Sequence, residues 1–110
     1  MAKVKHYLTA DGRDPFDAFL RGLKDPVAKA KIATRIARMA IGHYGDCKPC
    51  REGVSELRID QGPGYRVYFS AVTDPTDGAV SLVLLGGNKK KQDADIDQAV
   101  AWLNDYKSRK

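Results

Sequence analysis

Near the N-terminus Val4, His6 and Leu8 alternate with Lys3, Lys5 and Tyr7. A period of two predicts a half-buried strand over residues 3–9. After the break "DGRD", Asp14 followed by Pro15 supplies a helix N-cap and a proline at the first helical position, predicting a short helix through Phe16, Phe19, Leu20 and Leu23. Asp25 and Pro26 repeat the device. Beyond them Ala30, Ala33, Ile36, Ala37, Ala40 and Ile41 recur at intervals of three and four, predicting an alanine-rich stripe on a helix that ends near Ile41 and is stopped by Gly42. Two helices joined so tightly predict a helical hairpin. Lys31, Arg35 and Arg38 fall on the face opposite the stripe.

Residues 42–53 read as a connecting loop. In 54–60, Ser55, Leu57 and Ile59 alternate with Glu56, Arg58 and Asp60; after the turn "QGPG", Tyr65, Val67, Phe69 and Ala71 alternate with Arg66, Tyr68 and Ser70. Paired as an antiparallel hairpin, these runs have one apolar face. The other presents Glu56, Arg58, Arg66 and Tyr68 and is too polar for a core. Residues 79–85 are apolar enough for a central strand, and "GGNKKKQ" leaves it as a basic loop. Over 93–106, Ile96, Ala99, Val100, Leu103 and Tyr106 share a helical stripe with Trp102 beside it. The order β-α-α-β-β-β-α predicts one α+β domain over residues 1–110, with about four strands and helices largely on one face of the sheet.

Charge adds a direction to this outline. Nineteen Lys and Arg against fourteen Asp and Glu give a net charge of +5, which draws a small protein toward polyanions and puts nucleic acid first among partners. A membrane partner is not expected, because no amphipathic helix joins the basic residues to a bulky apolar face and no apolar run is long enough to span a bilayer. The N-terminus lacks the apolar segment of a signal peptide, so a cytoplasmic location is expected, with thiols reduced.

Cys47 and Cys50 form a Cys-x-x-Cys with His43 four residues upstream. Zinc would need a fourth ligand that the sequence does not supply, and a redox pair belongs at a helix N-terminus rather than before a strand. These thiols therefore read as incidental, and no metal or cofactor is expected. Hydrolase elbows, Walker loops and zinc-protease helices are absent. Asp93, Asp95 and Asp97 read as acidic residues favouring a helix N-terminus. Arg58 and Arg66 on one sheet face beside Tyr68 could grip a phosphate, or form a solvated face with Arg58 paired to Glu56 or Asp60. Lys89, Lys90 and Lys91 at the end of the last strand would join them in one basic concavity.

The run "DPVAKAKIATRIARMAIGHYGDCKPCREGVSELRIDQGPGYRVYF" followed by "LLGGNKKKQDADIDQA" resembles the addiction-module killer proteins, the HigB-like branch of the RelE/ParE toxin superfamily. The resemblance implies a RelE-like fold: an N-terminal strand, a helical hairpin, an antiparallel sheet and a C-terminal helix. It implies the toxin of a type II toxin–antitoxin module, a ribosome-dependent mRNA interferase that cuts mRNA without metal by driving the ribose 2′-OH onto the adjacent phosphate. Its partners would be the ribosome, mRNA and a cognate antitoxin, with operator DNA reached only through the antitoxin complex. The superfamily also contains ParE-like inhibitors of DNA gyrase, and a degenerate toxin could persist as a co-repressor. Aligned on "GYR", the resemblance places phosphate and transition-state ligands at Arg66, Arg58 and Lys90, with Glu56 as proton acceptor. Lys89, Lys91, Tyr68, Lys31, Arg35 and Arg38 are then the expected RNA-binding residues.

Overall fold

Both Asp-Pro pairs start helices. The Asp14 carboxylate accepts from the Asp17 N–H at 3.0 Å, and the Asp25 carboxylate from the Val27 and Ala28 N–H groups at 3.0 and 3.1 Å. In the computed structural model, which describes residues 3–109, the elements are β1 (Lys3–His6), α1 (Pro15–Gly22), α2 (Pro26–Ala40), β2 (Cys47–Arg51), β3 (Val54–Ile59), β4 (Tyr65–Asp74), β5 (Gly78–Asn88) and α3 (Gln92–Ser108). Lys89–Lys91 form a 3-10 turn rather than an open basic loop, since β5 continues through both glycines to Asn88.

The fold class is α+β, and the sheet has five strands rather than about four, in the order β1-β5-β4-β3-β2. It is mixed. β1 runs parallel to β5 from Lys3↔Val80 to His6↔Val83, while the other neighbours are antiparallel. Alternation within β1 reveals a strand but not the direction of its partner, which lies more than seventy residues away along the chain.

The extra strand is β2, in the segment expected to be a loop. Its residues are mostly exposed, so it carries no hydrophobic alternation to betray it. The Arg58 N–H donates to the Asp46 carbonyl at 2.9 Å, which sets the phase of the ladder. Lys48 then exchanges hydrogen bonds with Glu56, and Pro49, opposite Ser55, turns its missing donor outward.

Helices cover both faces of the sheet, not largely one. Phe16 of α1 and Ala28, Ile32 and Met39 of α2 pack with Leu57, Ile59, Val67 and Phe69; α3 packs Ala99, Val100 and Leu103 on Tyr7, Val54, Tyr68, Leu82 and Leu84. Four consecutive buried residues, Leu82 to Leu85, make β5 apolar on both sides, and such a strand needs cover on both. Each of α1 and α2 packs chiefly on the sheet. The buried face of α2 is Ala28, Ile32 and Met39, so the predicted alanine stripe is misplaced: Ala30, Ala33 and Ala37 face solvent. Alanine fits either environment, whereas the larger side chains fix the orientation. Among the described residues no helix is long and apolar enough to cross a membrane.

Candidate functional site

The β3–β4 turn holds Gly62 and Gly64 at φ of 55° and 87°, a region that favours glycine. A Cβ on Gly64 would meet the Lys89 side chain at 3.4 Å and Arg66 Nη1 at 3.7 Å, ordinary van der Waals contact, so the turn lies against both cations and it is the positive φ that calls for glycine. Register places Arg58 directly opposite Arg66. Like charges in that position repel, and each guanidinium is held by its own carboxylate.

Arg58 Nε and Nη2 donate to Asp46 Oδ1 at 3.1 and 2.9 Å. This contact holds the Asp46 carboxyl below the usual carboxylate range. Arg66 Nε lies 2.9 Å from Glu56 Oε2, an ion pair whose N–H is not aligned as a hydrogen bond. Arg66 Nη1 donates to the Tyr65 carbonyl at 3.1 Å. The Glu56 carboxylate is buried beneath it and accepts from Gln92 Nε2 at 2.9 Å and from Cys50 Sγ at 3.3 Å. Arg58, Arg66 and Lys89 line a cleft of about 250 Å³ together with Asp46, Asp60 and Gly64. Two arginines held by carboxylates and an exposed lysine around a polar cleft can bind one tetrahedral anion from several sides.

The other expected site residues are dispersed. Lys89, not Lys90, lines the cleft; Lys90 is exposed, and its N–H donates to Asn88 Oδ1. Lys91 borders a second pocket near Asp95. Tyr68 shares the face of Arg66 but is fully buried under α3, so an RNA contact for it is corrected: it belongs to the core. Lys31, Arg35 and Arg38 line a neighbouring groove of about 630 Å³ along α2, which shares Ile59 and Asp60 with the cleft. Arg35 donates to the carbonyls of Arg58, Tyr44 and Asp46 at 2.6, 3.0 and 2.8 Å, so it fixes the backbone behind Arg58. Asp46 and Gln92 were not anticipated. Asp46 becomes legible only when β2 is paired with β3, and Gln92 only when α3 is docked. Arg58 pairs with Asp46 and not with Glu56 or Asp60.

The Cys47 thiol is exposed and the Cys50 thiol half-buried. Burial, assisted by the Glu56 hydrogen bond, pushes the Cys50 thiol up to about 12. It is a protonated donor to the site carboxylate.

No family model and no solved structure matches the chain. An uncharacterized protein of Haemophilus influenzae is 48% identical over 84 residues, covering 76% of this chain and 81% of that relative. At that identity and coverage, the chain belongs to the same family as the Haemophilus influenzae protein.

Proposed function

We propose that the chain is the toxin of a type II toxin–antitoxin module, an mRNA interferase that acts on the ribosome in the cytoplasm and is restrained by a cognate antitoxin. The observation that carries this reading is the opposed Arg58–Arg66 pair, completed by Lys89 against the Gly64 turn. Two arginines facing each other cost stability unless an anion or carboxylates intervene. Here each guanidinium is braced on one edge and the cleft remains between them, which suits a phosphodiester passing through a pentacoordinate state. Arg66 and Arg58 bind the charged phosphate oxygens. Lys89, with Lys90 next to it, faces the leaving oxygen. Glu56 orients Arg66 from below, because a carboxylate this buried and already paired is poorly placed to reach a ribose hydroxyl. A RelE-like topology accompanies the reading.

The test is Arg66→Ala in a translating extract, with cut sites mapped by primer extension. Cleavage should fall by ~10²-fold or more while antitoxin binding is kept. Unchanged cleavage removes Arg66 from the site. An intact message together with inhibited supercoiling by the wild-type chain would instead favour a gyrase inhibitor.

A further inference from the structure

The turn between β5 and α3 serves the cleft twice. The Lys89 N–H donates to the Gly64 carbonyl at 3.1 Å, and the Asn88 side chain caps the turn by accepting from the Lys90 N–H at 3.0 Å. These bonds hold Lys89 at the rim of the cleft. Gln92, which opens α3, reaches beneath it: its Nε2 donates to Glu56 Oε1 at 2.9 Å, under Arg66. Further along, α3 is packed on the sheet through Ala99, Val100 and Leu103, so the amide stands on a firm element.

Glu56 is met by donors on both oxygens. Oε1 accepts from Gln92 Nε2 and, at 3.3 Å, from Cys50 Sγ, while Oε2 lies 2.9 Å from Arg66 Nε. The ion pair is secluded, with side-chain exposure of 15% for Arg66 and 4% for Glu56. An arginine and a carboxylate so placed most often pair as a fork, through two parallel N–H···O bonds. Here they do not. Arg66 Nε is off the line of a hydrogen bond, Nη1 donates to the Tyr65 carbonyl at 3.1 Å, and Nη2 has no hydrogen bond among the described residues. Arg66 thus lines the cleft with Nη2 uncommitted.

We infer that Gln92 is a positioning residue for the cleft: by holding Glu56 Oε1 it denies Arg66 the second bond of the fork and reserves Nη2 for the bound phosphate. The inference rests on the RNA-cleaving reading for its substrate. The Cys50 thiol is a weak donor and does not hold Oε1 alone. Without the amide, Oε1 turns to the stronger donors of Arg66, and the guanidinium enters two-point pairing with Glu56 and leaves the anion. An uncharged donor is what the position calls for. Glutamate there would set two carboxylates side by side, and methionine would fill the space with no donor.

The experiment titrates the full chain, isotopically labelled, with inorganic sulfate, a tetrahedral anion whose charge is constant over the pH range used. It follows the Arg66 Nε–H resonance, assigned by its loss in Arg66→Lys. Gln92→Met should keep a thermal midpoint near wild type, move that resonance before sulfate is added, weaken sulfate binding by ~10-fold or more and slow single-turnover cleavage on programmed ribosomes to a similar degree. Gln92→Glu should show the same loss at pH 8 and regain affinity relative to wild type as pH falls toward 5.5, because its protonated carboxyl donates to Glu56 as the amide does. Should Gln92→Met fail to fold, that recovery in Gln92→Glu decides. A lower midpoint in Gln92→Met with the resonance and sulfate affinity unchanged makes Gln92 a peg between α3 and the sheet and overturns the inference. So does a loss in Gln92→Glu that is the same at every pH. Wild-type cleavage that Gln92→Met leaves intact overturns it too, with the interferase reading standing. Weaker sulfate binding in Gln92→Met, where the wild type cuts no message, upholds the positioning role and defeats the interferase reading.

Discussion

The Asp95 carboxylate sets a pH dependence. Burial pushes its carboxyl above the usual carboxylate range, with Lys91 partly offsetting the effect. A carboxyl whose pKa is higher in the folded than in the unfolded chain binds its proton more tightly in the fold. Its contribution therefore becomes unfavourable as pH rises from the unfolded pKa through the folded one, and stays so above. Asp95→Asn should raise the thermal midpoint at pH 7 and change it less at pH 3, where both states are protonated. A lower midpoint at pH 7 would show that the ionised carboxylate supports the fold. At this scale the sequence was informative where one hairpin decides the geometry. Alternation alone puts Glu56, Arg58 and Arg66 on one face, and register then makes Arg58 and Arg66 neighbours. It was silent wherever a distant element intervenes. Nothing local to Asp46 or Gln92 announces that the first will brace Arg58 and the second Glu56.

Among the elements, β2 was the least legible and explains the fate of the two thiols. In a strand, a three-residue spacing turns side chains to opposite faces, and a register shift between Pro49 and Arg51 adds a local irregularity at Cys50. Cys47 ends exposed, opposite Leu57, while Cys50 turns under the site to Glu56. With its pKa raised to about 12, Cys50 has on the order of one thiolate in ten thousand at pH 8. A thiol reagent should therefore modify one equivalent in the native protein, at Cys47, and the second only after denaturant is added; mass spectrometry of the labelled peptides checks the order. The double variant Cys47→Ser, Cys50→Ser should fold with a midpoint close to wild type, because serine keeps the donor to Glu56. The helices were legible in proportion to the size of their apolar residues. The bulky stripe of α3 packs as its spacing predicts, and the aromatic and leucine positions of α1 face the core. α2 was misoriented because alanines outnumber the larger apolar residues that decide its face.

Over the whole molecule, protection from solvent should follow the layers. β4 has a strand on each side and both apolar clusters against its faces: Val67 and Phe69 meet the α1–α2 layer, and Tyr68 meets α3. β2 has one neighbour, mostly exposed side chains, and a lysine, a proline and an arginine among its five residues, features that blunt a sheet edge. Local opening of such an edge costs little, whereas exposing the β4 backbone requires separating both helical layers and approaches global unfolding. Native-state hydrogen exchange should therefore rank the β4 amides from Val67 to Phe69 slowest, at or near the global free energy of roughly 5–15 kcal/mol expected for a domain of this size. The β2 amides should exchange several kcal/mol sooner. Because Asp46 leads into β2 while Glu56 and Arg66 belong to the interior strands, opening that edge releases Arg58 from its carboxylate before it disturbs Arg66. The two arginines of the cleft thus differ in rigidity. Equal protection of β2 and β4 would show that the edge and the core open as one unit, and that Arg58 is as firmly fixed as Arg66.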